Sequence, residues 1–121
     1  MVGGIDVVEA HDYNDEMNAM PGSPSSTSNS IYSDLNDAAA IGKPFFIGEA
    51  GIAAPSPMYA FSYAQRAQYM DDKITAHWSA GSDGFLIWSW YDLKSDNSQG
   101  WDFNSQDPLA AVVAKHAAET P

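Results

Sequence analysis

Three short β-rich runs, each followed by a stretch of helical periodicity, set the limits on what this chain can fold into. The runs are Ile5 to Tyr13, Phe45 to Glu49 and Gly84 to Trp90. Helical patterns follow at Ile31 to Ile41, at about Met58 to Ala80, and from Pro108 to about Glu119. No hairpin signal such as Asn-Gly joins two runs directly, so the pattern predicts parallel strands linked by right-handed helical crossovers. The fold class is therefore α/β. A chain of 121 residues is long enough for one compact domain and too short for two.

The chemistry concentrates where the runs end. In Lys43-Pro44-Phe45-Phe46-Ile47-Gly48-Glu49-Ala50-Gly51, β-formers lead to a single carboxylate, and proline and glycine punctuate both sides. A carboxylate at the mouth of a buried strand carries a desolvation cost, so it tends to be hydrogen-bonded, paired or used in a reaction. On the first run, alternation puts Val7, Glu9, His11 and Tyr13 on one face, with Val8 and Ala10 on the other. The third run, Gly84-Phe85-Leu86-Ile87-Trp88-Ser89-Trp90, is almost continuously apolar, as expected of a strand covered on both faces, and Trp88 and Trp90 share a side at its end. The ends of parallel strands are where α/β folds, and (β/α)8 barrels above all, assemble their sites.

The segments between these runs carry their own signals. Asn14 to Ser30 is polar and serine-rich with Pro21-Gly22-Ser23-Pro24, and reads as a long surface loop. Ser30 is a candidate N-cap for the first helix, which buries Ile31, Leu35, Ala38 and Ala39 and stops at Gly42. The second helix carries a stripe of Tyr63, Ala67, Met70, Ile74 and His77 or Trp78, and stops at Gly81. Asp107 caps the third helix, with Pro108 at its first position. His77 and His116 lie on helices away from the strand ends and read as structural.

Charge and composition narrow the function. Sixteen acidic against five basic residues give a net charge of -11, which argues against nucleic acid and anionic membranes as partners. With no cysteine, thiolate zinc sites, disulfide scaffolds and thiol nucleophiles are excluded. No stretch approaches the roughly 18 apolar residues of a membrane span, and nothing after Met1 reads as a signal peptide. Asp12, Asp15 and Asp92 stand near strand ends without metal-site spacing, and no cofactor is expected.

His11-x-Tyr13 ending one strand, Gly48-Glu49-Ala50-Gly51 ending the next, and the Gly84 to Trp90 run resemble strands six, seven and eight of clan A glycoside hydrolases. The likeness is to family 5 enzymes of the β-mannanase and cellulase kind, and extends from about Ile5 to Ala118. It implies a partial TIM (β/α)8 barrel of three parallel β/α units, with residues 1–121 forming the C-terminal portion of a catalytic barrel. The function it implies is hydrolysis of O-glycosidic bonds in a β-linked glycan with retention of configuration. By that resemblance Glu49 is the nucleophile, Tyr13 orients it, His11 contacts substrate or the catalytic pair, and Trp88 floors the subsite of the sugar to be cleaved. An indole face suits the apolar face of a pyranose, and a phenol donating to a carboxylate fixes its rotamer. Trp90 reads equally as a second sugar platform or a packed aromatic. Trp101 either covers the site or anchors its loop to the last helix, and His11 taken alone reads as a core histidine.

The chain departs from this family in one respect that matters for chemistry. A retaining glycosidase needs a second carboxyl group about 5 to 5.5 Å from the nucleophile, as acid/base. The family provides it in an Asn-Glu pair ending strand four, yet the glutamates here are Glu9, Glu16, Glu49 and Glu119, none preceded by asparagine. Strands one to five have no counterpart. The expectation is a C-terminal portion of a larger barrel, which the family likeness implies is secreted; the portion is expected to be inactive by itself and to need the N-terminal half or self-association to cover its open edges. Val7, Ile47 and Leu86 are expected in the barrel interior, and Glu9 is expected to find its partner outside this chain. The alternative is a non-catalytic carbohydrate-binding remnant.

Overall fold

The computed structural model describes residues 4–13, 30–55, 61–91 and 100–119. The elements run β1 (Val8–Asp12), α1 (Ser30–Ala40), β2 (Phe45–Ala50), α2 (Tyr63–Ala80), β3 (Gly84–Ile87) and α3 (Pro108–Glu119). The strands form one sheet in the order β1-β2-β3, and both pairings are parallel. The expected alternation of strand and helix is therefore present in order and direction. Of the loop expected over Asn14 to Ser30, residues 14–29, with Asp15 among them, lie outside the described residues, as does Asp92, while Ser30 belongs to α1.

Helix boundaries follow local capping. α1 begins at Ser30, so the expected N-cap position is the first helical residue. It ends where Gly42 adopts a φ of 66° and the Lys43 amide donates to the Ala38 carbonyl at 2.9 Å. α2 starts at Tyr63, not Met58, because Ser62 and Gln65 form a reciprocal capping box: the Gln65 amide donates to Ser62 Oγ and the Ser62 amide to Gln65 Oε1. Gly81, at φ 96°, closes its other end. Asp107 caps α3 through the Leu109 amide at 2.9 Å.

The core lies between the sheet and its helices. Ile31, Leu35 and Ala38 of α1 pack on Phe45, Ile47 and Ala50 of β2, whereas Ala39 is exposed. Ala67, Met70 and Ile74 of α2 pack with Ile52, Phe103 and Leu109. Tyr63 is exposed, and the buried stripe of α2 begins instead at Arg66.

One expectation about the sheet fails for an identifiable reason. Ile47 is fully buried against the helices and does not lie in the barrel interior. β2 carries an extra residue: Ala10 pairs with Ile47 and His11 pairs with Glu49, leaving Gly48 as a bulge. A bulge breaks the period of two, so Ile47 and Glu49 face opposite sides even though two positions separate them. Val7 and Leu86 are exposed, at 47% and 56%, on the uncovered face. β3 accordingly is not covered on both sides, and its ladder ends at Ile87, with Trp90 joined only by an isolated bridge to Phe103.

Candidate active site

β1 and β2 bring three of the expected residues together at their C-terminal ends. The Tyr13 hydroxyl donates to Glu49 Oε2 at 2.8 Å. His11 Nδ1 lies 3.5 Å from the same oxygen, and the His11 and Tyr13 rings meet edge to face at 6.5 Å. Burial, then the hydrogen bond and charge of Glu49, push the Tyr13 phenol well above its ordinary value of 10.0. It therefore remains a neutral donor across the physiological range. Glu49 retains about a third of its side-chain exposure, enough for a ligand to reach it.

Of the three expected tryptophans, Trp101 is in ring contact with this group. Trp101 packs edge-on against Tyr13 at 5.3 Å between ring centres. That approach needs a glycine at position 51, because a Cβ there would stand 2.7 Å from Trp101 Cε3 and 2.9 Å from Tyr13 Cε1. Trp88 continues the ladder beside the site through its amide, which donates to the Ala50 carbonyl at 2.7 Å, and its side chain is 50% exposed. Trp90 packs edge-on against Phe103 at 5.4 Å, yet remains 51% exposed. It is thus both a packed aromatic and an available surface.

Several residues with a part in this arrangement escape sequence reading. Arg66, fully buried on α2, donates to the Gly100 carbonyl at 2.7 Å and the Asp102 carbonyl at 3.2 Å, and pairs with Asp107. It thereby fixes the segment that carries Trp101. The Ala54 amide also holds Gly100, and Ser89 Oγ donates to Asp102 Oδ1 at 2.7 Å. The available signal was the spacing of Arg66, Lys73 and His77, three basic side chains at helical intervals along a face otherwise read as apolar. Glu9 finds its partner within the chain, contrary to expectation: its Oε2 lies 3.5 Å from His11 Nε2.

Asp12, the last residue of β1, turns away from this group. Its carboxylate is buried against α2, with Lys73 Nζ at 2.7 Å and His77 Nε2 at 3.0 Å. His77 also meets Ser82 Oγ at 3.2 Å, so it is structural as expected, although it reaches a strand end after all. His116 is likewise buried, bridging Asp71 of α2 and Glu119 of α3.

The chain matches no protein-family model and no curated protein. Among solved structures it is similar to a hyperthermostable endo-1,4-β-D-mannanase from Thermotoga petrophila RKU-1 crystallised with maltose and glycerol. That match has a TM-score of 0.66 and 18% identity, and covers 95% of this chain and 34% of the other. A second endo-β-1,4-mannanase structure from Thermotoga petrophila matches with a TM-score of 0.65 and 18% identity, covering 94% and 26%. The chain thus spans about a third or less of the length of these proteins, and at this identity the likeness establishes the fold, a partial (β/α)8 barrel.

Proposed function

We propose that this chain carries the nucleophile side of a retaining β-glycoside hydrolase site, acting on a β-1,4-linked glycan of the mannan or glucan type. The observation that carries the reading is the contact of Tyr13 and His11 with one oxygen of Glu49 across neighbouring parallel strands. Both contacts fall on Oε2, which leaves Oε1 to attack an anomeric carbon. Tyr13 fixes the rotamer, His11 flanks it, and the exposed Trp88 offers an indole face to the sugar, with Trp90 and Trp101 at the margins. The mannanase neighbours support the substrate class.

The attack forms a bond from a Glu49 carboxylate oxygen to C1 while the bond to the leaving group breaks and its electron pair departs with that group. A sugar leaving group needs a proton from a second carboxyl group, which belongs to barrel units beyond these three. Fluoride needs none. Incubation with 2-deoxy-2-fluoro-β-D-mannosyl fluoride, or its gluco counterpart, is therefore expected to add one fluoroglycosyl mass to the chain, mapped to Glu49. Glu49→Gln abolishes the adduct. Hydrolysis of an unactivated mannan stays negligible.

A second reading is favoured by the half-exposed Trp88, Trp90 and Tyr91: a carbohydrate-binding remnant without catalysis. It expects oligosaccharide-induced shifts of the indole resonances and no covalent adduct. Saturable binding with no label after long incubation would replace the first reading by the second.

A further inference from the structure

β1 and the residue that follows it turn Glu9, His11 and Tyr13 toward the site, and His11 and Tyr13 touch Glu49. The third, Glu9, meets the far edge of the His11 ring, with Oε2 3.5 Å from Nε2, while Nδ1 faces Glu49 Oε2 at the same distance. One imidazole thus spans two carboxylates, one at each nitrogen. All three groups are about a third to a half exposed, so no burial holds them in this order.

The bulge in β2 makes the arrangement possible. The unpaired Gly48 lies under the Glu9 carboxylate, and a Cβ there would run into Glu9 Oε2, lie 3.2 Å from its Cδ and come within 3.7 Å of His11 Cδ2. The absent side chain leaves a notch in β2 that the Glu9 carboxylate occupies. The same extra residue turns Glu49 to the face of His11. Gly48 therefore serves both ends of the row, seating one carboxylate and aiming the other.

We propose that Glu9 is a positioning residue for Glu49: seated in the Gly48 notch, it holds the outer nitrogen of His11 and so keeps the inner nitrogen against the nucleophile. Its connection with catalysis rests on the reading of Glu49 given above. Glu9 meets His11 and does not itself reach the reacting carbon, so its effect falls on the rate of the covalent step and not on sugar affinity. Contacts of this length between half-exposed polar groups are individually small, and the expected effect is about three- to fivefold.

The test uses the whole chain, 15N-labelled at histidine, with Glu9→Gln, Gly48→Ala, Glu9→Ala and the Glu9→Ala, Gly48→Ala pair, each checked for folding by circular dichroism. Glu9→Gln removes the charge at constant shape. Gly48→Ala pushes the flexible end of Glu9 out of its notch. Both are expected to move the ring 15N resonances of His11 while those of His77 and His116, buried elsewhere, stay in place. Both also slow the limiting rate of fluoroglycosyl labelling about three- to fivefold at unchanged half-saturation. In the Glu9→Ala background, Gly48→Ala adds nothing further, since no carboxylate remains to displace. Unmoved His11 resonances in a folded Glu9→Gln chain overturn the proposal, as does labelling at the native rate. If the native chain takes no label, the nucleophile reading falls by itself, and the His11 resonances alone then decide whether Glu9 holds the ring.

Discussion

Tyr13 and Glu49 are 36 positions apart, and a single hydrogen bond joins them. A bond from a hydroxyl to a carboxylate contributes about 1.5 to 3 kcal/mol, so Tyr13→Phe should slow labelling of Glu49 by about tenfold or more. The pairing was legible because each residue stands at a strand end in a recognisable motif. Asp12 was not, since one residue after His11 its side chain goes to the opposite face, and no periodicity announces a buried carboxylate there. Burial alone would raise its carboxyl, but the His77 hydrogen bond and the Lys73 charge outweigh that and hold it below the ordinary 3.8. The folded chain then binds this proton more weakly than the unfolded one. The stabilisation is whole above about pH 4 and is lost as the pH falls through the depressed folded value. Asp12→Asn removes the negative charge beside the buried Lys73 ammonium and is expected to cost about 3–5 kcal/mol in a urea melt. The variant should also lose the part of the acid dependence below pH 4 that Asp12 contributes, while Asp71, held low by Lys115 and His116, keeps its share.

Among the elements, α2 does more than cover the sheet. Its first turn is set by Ser62 and Gln65, and Ser62→Ala should lower stability by about 1 kcal/mol, read as a shifted denaturant midpoint at constant slope. Arg66 one turn later ties the Gly100 to Asp102 segment and Asp107 to the helix. Replacing it with Met keeps the volume and strands those acceptors, with an expected cost of about 3–5 kcal/mol and a red-shifted emission from Trp101 as its segment loosens. The Ser62-x-x-Gln65 signature was present in the sequence and marks the true start of the helix. The role of Arg66 was harder to read, because two of its partners are backbone carbonyls, which every residue has, and the third, Asp107, lies 41 positions away in sequence. The bulge in β2 shows the same limit. Alternation correctly ranks Phe45 with Ile47, but it cannot register an inserted residue, and everything beyond Gly48 changes sides.

On the scale of the molecule, the order of strands and their direction followed from three run-and-helix repeats, since parallel strands joined by helices have few arrangements. What no local pattern could supply is how the outer strands are covered. Among the described residues β1 and β3 each pair on one side only, and Val7, Leu86 and Trp88 stand exposed. With a net charge of -11, copies repel at low salt, so self-association measured by sedimentation should grow as added salt screens that repulsion. Direction then governs what such growth can build. A two-fold axis normal to the sheet would lay β1 against β1 with the strands running oppositely, so extension of the parallel ladder has to proceed head to tail, β3 of one copy to β1 of the next. Among the described residues each copy brings three strands. Two copies make six and three make nine, so no whole number of copies supplies the eight staves of a closed cylinder, and the assembly is expected to run on as a polydisperse series without a terminal member.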